Sequence, residues 1–443
     1  MATSKPGDPS HLARWHGGSA SLVAIGRYLS LGLSLFTATV IARALGPVGR
    51  GVTATMLAVW LVTTVLVGLG VPLAMRRRVA ESGSAPSIVA AGRLFALSTL
   101  PVSLLVGVIC ALTLFTQYGN ASTIAFLVAM GIIPLAVSWA QDVSVLVAAA
   151  QFTKIAFLGA VSSIAFFCMI LGMWLSGNLV IPSVLYAHAL SNVAAFVVGI
   201  MLVRGGRGTV REALSIAREG LSLVGAQLAD TASRRIDQII ALPLIGAHQT
   251  GLYSVGSTVA QLSSPLAQAT SAAMYKDMVG SAARTNDAVG RVIRHALVIA
   301  IPTTLLLIAG GALTVPIIFG EAFRPAVPAT VILSLATPFT MTAFAVSQWM
   351  AAQRRGQELT VIQLVGLGVT VITLTIGGIL WDAQGVATGT TIGSIVTALM
   401  LMARACPSPR LWRPHLSDVR PAWSALFGAR TPPHREATSA EPS

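Results

Sequence analysis

The stretch ALGPVGRG, residues 44–51, returns two hundred positions later as LIGAHQTG, residues 244–251, with Gly46 and Gly51 matched by Gly246 and Gly251. Each copy joins two apolar runs, 19–42 to 51–74 in the first case and 221–245 to 252–274 in the second. Each second run exits into basic residues, Arg76 and Lys276. An apolar–turn–apolar–basic order repeated at one offset reads as an internal duplication.

Outward from these two turns the chain continues in the same style. Further apolar runs cover 88–115, 122–148, 155–175, 181–203, 292–319, 327–350, 360–381 and 385–403. That makes about twelve runs, each near the roughly 20 residues a helix needs to cross a bilayer. The runs are continuously apolar instead of alternating, which selects helices over barrel strands; a helix satisfies its own backbone polar groups in lipid. Composition agrees, since the 443 residues are 54% hydrophobic and 10% charged with mean hydropathy +0.78, against about 25% charged in soluble domains.

The expected fold class is an all-α polytopic membrane protein of about twelve transmembrane helices in two six-helix bundles. An even number of spans per half relates the halves by an axis along the membrane normal, with a substrate path between them. The expected divisions are an N-terminal tail 1–18, a first bundle 19–203, a linker 204–220, a second bundle 221–403 and a tail 404–443. The connections are too short to bury a core of their own.

The formal charge of +14 would suggest nucleic acid in a soluble protein. Here the basic residues gather on alternate connections, among them Arg76, Arg77, Arg78, Arg93, Lys154, Arg204, Arg207, Lys276, Arg284, Arg354 and Arg355, and in the tail. Only Arg43, Arg50 and Arg324 fall on the opposite side. This is the positive-inside asymmetry; it places both termini in the cytoplasm, the chain in the plasma membrane and anionic headgroups beside the basic loops, with no nucleic-acid role. The first apolar run lacks a small-residue cleavage site and is expected to be retained. Cys110, Cys168 and Cys406 offer no disulfide framework or metal cluster. Six prolines among the tail's arginines disfavour a packed core, so disorder is expected there, with Trp412, Trp423 and Phe427 as candidate contacts to the cytoplasmic leaflet.

The seventh run is the least apolar and carries Gln227, Asp230, Thr231, Arg234, Arg235, Asp237 and Gln238. On an unbroken helix these occupy an arc of about 160°. Ionised groups at that depth are costly unless they face protein or water, so the stripe is expected to line a central cavity. An Asp230–Arg234 pair one turn apart serving helix docking alone is the competing reading. Guanidinium groups suit phosphate, whereas Asp230 and Asp237 suit ion coupling or charge pairing. Arg27 stands a third of the way along the first run and either lines the cavity or snorkels to headgroups. Asp142 in the fourth run is a third candidate for ion coupling or for pairing with an arginine across the cavity; His188 and Asn192 read as packing hydrogen bonds. Prolines 72, 134, 243, 265, 302 and 338 interrupt backbone pairing and supply bends. No glycine-rich phosphate loop or zinc spacing occurs, so no catalytic residue, metal ligand or cofactor is assigned, and a proton or sodium gradient is the expected energy source.

IARALGPVGRG followed by an apolar run and VPLAMRRRVAESG resembles the opening of the polysaccharide flippases, also called lipopolysaccharide or teichoic acid exporters, in the superfamily of the multidrug and toxin extruders. RRIDQIIALPLIGAHQTGLYSVGSTVAQL from Arg234 is similar to that family's Arg–x–Asp, apolar run, glycine turn and Gly–Leu–Tyr. WDAQGVATGTTIGS from Trp381 is similar to its entry into the last span, with Asp382 in place of a glycine and Val386 in place of a small residue. The resemblance implies two six-helix bundles in a V around a central cavity. It also implies a polyprenyl-diphosphate-linked oligosaccharide as cargo, with Arg235 and Asp237 matching the Arg–x–Asp motif and Arg27 matching a first-span arginine of related lipid flippases. The chain lacks two further spans expected of the latter.

The expected function is therefore a flippase moving lipid-linked saccharide from the cytoplasmic to the outer leaflet by rocking of the two halves. Arg27, Arg234 and Arg235 would grip the diphosphate, and other polysaccharide-assembly proteins are candidate partners. The alternative is a cation-coupled small-molecule exporter on the same fold. A membrane-embedded glycosyltransferase or polymerase would carry a sizeable extracytoplasmic loop, whereas the longest connection on that side is 43–50.

Overall fold

Apolar sequence with no alternation gives helix throughout. The computed structural model describes residues 19–82, 86–221, 224–274, 278 and 285–427, and every regular element among them is helical. In the first half these are α1 (Ser19–Gly68), α2 (Val71–Ser82), α3 (Pro86–Ser98), α4 (Leu100–Leu114), α5 (Asn120–Gly131), α6 (Ile133–Ala148), α7 (Phe152–Leu175) and α8 (Ile181–Leu202). A linker helix α9 (Val210–Leu221) leads to α10 (Val224–Ser233), α11 (Ile236–Ala260), α12 (Ser264–Ala273), α13 (Asn286–Thr314), α14 (Val327–Leu335), α15 (Thr337–Ala352), α16 (Gly356–Ala405) and α17 (Leu416–Phe427).

Three of these helices double back. Gly46 in α1 has φ 64° and ψ −175°, and Gly246 in α11 has φ 76° and ψ 168°, so the two repeated turns adopt one left-handed conformation that glycine tolerates. In α1 the reversal brings Leu31, Ala38 and Ile41 to the same cavity as Leu61, Ala54 and Arg50. In α11 it brings Asp237 to Tyr253, whose hydroxyl donates to the carboxylate; sixteen residues of straight helix would hold them roughly 24 Å apart. α16 reverses at Trp381 and Asp382. Beyond that turn Gly377 meets Gly385, Leu374 meets Gly389 and Thr370 meets Gly393, the small-residue seam that lets helix backbones approach closely in lipid.

Prolines set the remaining breaks. Pro101, Pro134, Pro265 and Pro338 each open the helix that follows an interruption, where a missing N–H costs nothing. Seven helices among the described residues are long and apolar enough to cross a bilayer, and a pair bent by 41° around Ala336 makes an eighth if counted as one span. The number is smaller than the twelve runs because α1 and α16 each carry two, and the runs 221–245 and 252–274 are divided among α10, α11 and α12. The chain is a multi-pass membrane protein.

Two cores centre on the halves and reach across between them. Val52, Met56, Trp60, Phe126 and Ile133 pack with Leu242 of the second half, and Tyr253, Phe319, Phe323, Leu374 and Val386 with Ala38 and Ala42 of the first. Leu112, Leu175, Leu306 and Ile379 stay largely exposed, as residues facing hydrocarbon should. The linker helix α9 is fastened to the first half, since Arg78 donates to Glu219 and Ser215 at 2.8 Å.

The tail departs from the expectation of disorder as far as Phe427. Arg294 of α13 donates to Asp418 Oδ2 at 3.0 Å and to the Leu411 carbonyl at 2.9 Å, and Ala422 is buried against α12 and α13. The tail needs no core of its own because it packs on a surface already built. Trp412 donates its indole N–H to the Cys406 carbonyl at 3.1 Å. Residues 1–18, 428–443 and the side chain of Phe427 lie outside the described residues.

Candidate functional site

Two cavities flank the start of the second half, and a break in the helix distributes the arginine doublet between them. α10 ends at Ser233 and α11 begins at Ile236, with Arg235 at φ −135°, ψ −17°. The stripe expected on one continuous face is therefore split: Arg235 lines the first cavity and Arg234 the second.

The first cavity, about 420 Å³, lies between the reversed α1, α7, α8 and α11. Its cations are Arg50 and Arg235, and no carboxylate lines it among the described residues. Arg50 is 9% exposed, and its Nη2 donates to Thr258 Oγ1 at 3.1 Å, while Nε is buried without a hydrogen-bond partner. Arg50 does not lie in the connection expected at 43–50: the helix resumes directly after Gly46, with Pro47 in its first turn, so Arg50 belongs to the buried wall. Two guanidinium groups sharing one buried space, one with a free buried donor, repel each other and favour an anion between them. Ser162, Ser163, Ser191, Gln238 and Gln261 add hydroxyl and amide groups. His188 stacks edge-on against Trp60 at 4.4 Å and accepts Asn192's amide on its carbonyl at 2.9 Å, a packing role in the wall.

The second cavity, about 330 Å³, lies within the second half and is electrically balanced. Arg234 Nε donates to Asp230 Oδ2 at 3.0 Å, and its guanidinium carbon Cζ lies 6.0 Å from the Phe344 ring centroid. Thr340, Ser347, Gln348, Thr390 and Ser394 complete a neutral polar lining.

The other sequence candidates occupy different surroundings. Asp237 lines neither cavity; it is buried, accepting from the Tyr253 hydroxyl and from the Gln238 backbone N–H at 2.8 Å. Its partner was hidden from sequence because it comes from across the fold-back. Asp142 pairs with Arg93 at 3.2 Å inside the first half instead of across the cavity, and its Oδ2 is buried without a partner among the described residues. Arg27 falls one turn before the cavity residue Leu31 in sequence, but its side chain lies outside the described residues.

At the end carrying the glycine turns, the halves are held together. A Cβ on Gly51 would lie 2.1 Å from the Ala247 carbonyl oxygen, and Arg43 Nε donates to the Ile318 carbonyl at 2.8 Å. Tight glycine contact and an arginine latch close this end.

Residues 18–275 match the family described as polysaccharide biosynthesis protein. No curated protein matches the chain. Solved structures share its fold. A multidrug resistance MATE family transporter of the MOP superfamily, in an inward-facing conformation, aligns with TM-score 0.65 and 14% identity over 92% of this chain and 100% of its own. The lipid II flippase MurJ, in an inward closed conformation, aligns with TM-score 0.68 and 14% identity over 92% of each chain. A MOP superfamily transporter from Pyrococcus furiosus aligns with TM-score 0.52 and 13% identity over 91% of this chain and 98% of its own. These likenesses establish the fold. The matched region holds both glycine turns, Arg50 and the Arg235–Asp237 stretch and exceeds half of the 443 residues; the chain belongs to the polysaccharide biosynthesis protein family.

Proposed function

We propose that the protein is a flippase that moves a polyprenyl-diphosphate-linked oligosaccharide from the cytoplasmic to the outer leaflet by alternating access. The observation that carries this reading is the first cavity, where Arg50 and Arg235 stand without a carboxylate among the described lining residues. A diphosphate supplies the missing negative charge, and Arg forks match phosphate oxygens bidentately. The surrounding serines and glutamines suit sugar hydroxyls. Basic loops at the end opposite the glycine turns agree with a cytoplasmic position for that end.

Membership of a polysaccharide biosynthesis family agrees with such a cargo. In the Pyrococcus furiosus protein, reverse polarity of the binding pocket is taken to suggest a different function, and the same logic applies to a cavity lined by cations. An exporter of cationic compounds would need an open carboxylate, whereas Asp230 is already paired with Arg234. Among Asp142, Asp230 and Asp237, Asp142 is the best candidate for proton or sodium coupling, because one of its oxygens is buried and unpartnered.

The test is flipping of a polyprenyl-diphosphate disaccharide in proteoliposomes. Arg50→Ala and Arg235→Ala should each slow it at least about tenfold, the loss of a charge-assisted hydrogen bond of about 1.5–3 kcal/mol. Full flipping by the double alanine variant at wild-type abundance would overturn the proposal.

A further inference from the structure

The linker between the halves and the segment after the last span fold in the same way. α9 and α17 are each 12 residues long, and each follows the final span of its half, α8 and α16. Each opens on an acidic side chain that takes a backbone N–H from three residues earlier: Glu212 Oε2 accepts from Thr209 and Asp418 Oδ2 from His415, both at 2.9 Å. Such a cap satisfies a donor that the helix itself leaves unpaired. His415 and Asp418 lie 206 positions beyond Thr209 and Glu212, close to the spacing of the two glycine turns.

The seats of the two helices correspond as well. α9 packs on α2 and α3, and α17 on α12 and α13. Arg93 of α3 donates to the Val203 carbonyl at 2.7 Å, and Arg294 of α13 to the Leu411 carbonyl at 2.9 Å; each arginine grips the segment that leads from the last span into its helix. Ile216 and Ala217 bury one face of α9, and Ala422 one face of α17. What each helix leaves outside is apolar. Val210, Leu214 and Leu221 are 68%, 57% and 54% exposed, and Leu416 is 93% exposed with Val419 beside it at 39%. At about 100° per residue the three α9 side chains share an arc of about 40°, with Arg211 and Arg218 along one border and Glu212 and Glu219 on the far side. In α17, Leu416 and Val419 lie about 60° apart, with Arg420 about 40° beyond Leu416 and Arg413 just before the helix.

A strip of leucine and valine bordered by arginines fits the boundary between acyl chains and headgroups, where apolar side chains sink and guanidinium groups meet phosphate. Water would leave the strip unburied, and the bilayer centre would leave the arginines unpaired. The charge of the partner follows from the carboxylates, which are already engaged: Glu219 by Arg78, Asp418 by Arg294 and Glu212 by its cap. The bordering arginines therefore present an uncompensated positive edge. We infer that α9 and α17 are a duplicated pair of interfacial helices, one to each half, which set their apolar strips into an anionic leaflet and their arginines against its phosphates. The inference concerns the protein's hold on the bilayer and does not depend on where the cargo's diphosphate head binds. Because each helix is fastened to its own half, the halves can move relative to one another with both helices still on the membrane.

The test uses the full chain in nanodiscs, in a background without native cysteines, with an environment-sensitive nitrobenzoxadiazole dye on Leu416→Cys, Leu214→Cys or Ser417→Cys. Ser417 is exposed and points about 100° away from Leu416, so it serves as the control. In phosphatidylcholine containing phosphatidylglycerol, lipids spin-labelled near the top of the acyl chain should quench the dyes at Leu416 and Leu214 at least about threefold more than the dye at Ser417. Arg413→Gln with Arg420→Gln, both at exposed positions, should weaken quenching at Leu416 several-fold, and so should leaving out phosphatidylglycerol. Equal quenching at Leu416 and Ser417, or undiminished quenching in phosphatidylcholine alone, would overturn the inference. Quenching at Leu416 without quenching at Leu214 would break the pairing and overturn it too. Protection of Leu416 from aqueous iodide without quenching by the spin-labelled lipid would mean that a protein surface, such as a second copy of this chain, covers the strip, and would equally overturn it.

Discussion

Gly51 and Gly251 meet where no methyl group fits. A Cβ on Gly51 would lie 2.8 Å from the Gly251 nitrogen and 2.1 Å from the Ala247 oxygen, and a Cβ on Gly251 would lie 1.9 Å from the Pro47 oxygen. Shifting Gly51 and Ala247 by two hundred positions gives Gly251 and Pro47, so the contact is the duplication's own symmetry axis seen in atoms. The two halves close by pressing equivalent turns together.

Gly51→Ala should therefore weaken closure of this end. Overpacking against backbone costs about 1–3 kcal/mol because neither partner can rotate away. Nitroxides at Val48→Cys and His248→Cys, in a background without native cysteines, should report a longer and broader distance in the alanine variant. An unchanged distance would show that the contact does not hold the halves.

The arginine doublet should behave asymmetrically. Arg234 and Asp230 are 47% and 46% exposed, and pairs of that kind contribute about 0.2–1 kcal/mol. Replacing both with alanine should leave abundance and flipping within about twofold of wild type, whereas Arg235→Ala removes a cation from the first cavity. Equal loss of flipping in Arg234→Ala and Arg235→Ala would mean that both cavities hold the head.

Which of these features sequence could reveal depends on how far their causes extend. Helices, fold-backs and the duplication were legible, since apolar runs and a repeated glycine turn are local signals. Arg50 was misplaced because a residue three positions after Pro47 looks like loop while being first-turn helix. The parting of Arg234 and Arg235 was invisible to a fixed 100° per residue, which assumes the helix does not break between them. Asp142 found its partner Arg93 on another helix, and Asp237 found Tyr253 across the fold-back of its own. The tail misled through composition, which measures whether a segment can build a core and not whether it can lie on one.

Orientation can be checked with single cysteines in the same cysteine-free background. His248→Cys and Gln117→Cys, at the glycine-turn end, should react with an impermeant maleimide added outside cells. Lys154→Cys and Gln357→Cys should react only after permeabilisation, as the positive-inside rule expects of basic connections. The reverse pattern would invert the proposed direction of transport.

Asp382 turns the α16 hairpin at φ 48° and ψ −130°, a conformation that costs a residue with a Cβ about 1–3 kcal/mol and glycine little. The resemblance places a glycine at this position. Asp382→Gly should raise the thermal midpoint of the protein in detergent, and Asp382→Val should lower it. No rise with glycine would show that the carboxylate contributes more than the turn costs.

The tail should be structural as far as α17. Arg294 and Asp418 are 14% and 12% exposed, and Asp418 Oδ2 also accepts the His415 backbone N–H at 2.9 Å, so the carboxylate closes the first turn of α17 while anchoring it to α13. Removing one partner of such a buried pair costs about 3–5 kcal/mol, because the other charge is left unpaired. Asp418→Ala should therefore lower the amount of monodisperse protein recovered in detergent, and Arg294→Ala with Asp418→Ala should recover part of it. Truncation after Pro414 removes α17 and exposes Leu266, Val298 and Ile299, with which Ala422 and Trp423 pack in one cluster, and should fail at the same step. Wild-type recovery of the truncated chain would return the tail to the disordered role that its prolines and arginines suggest.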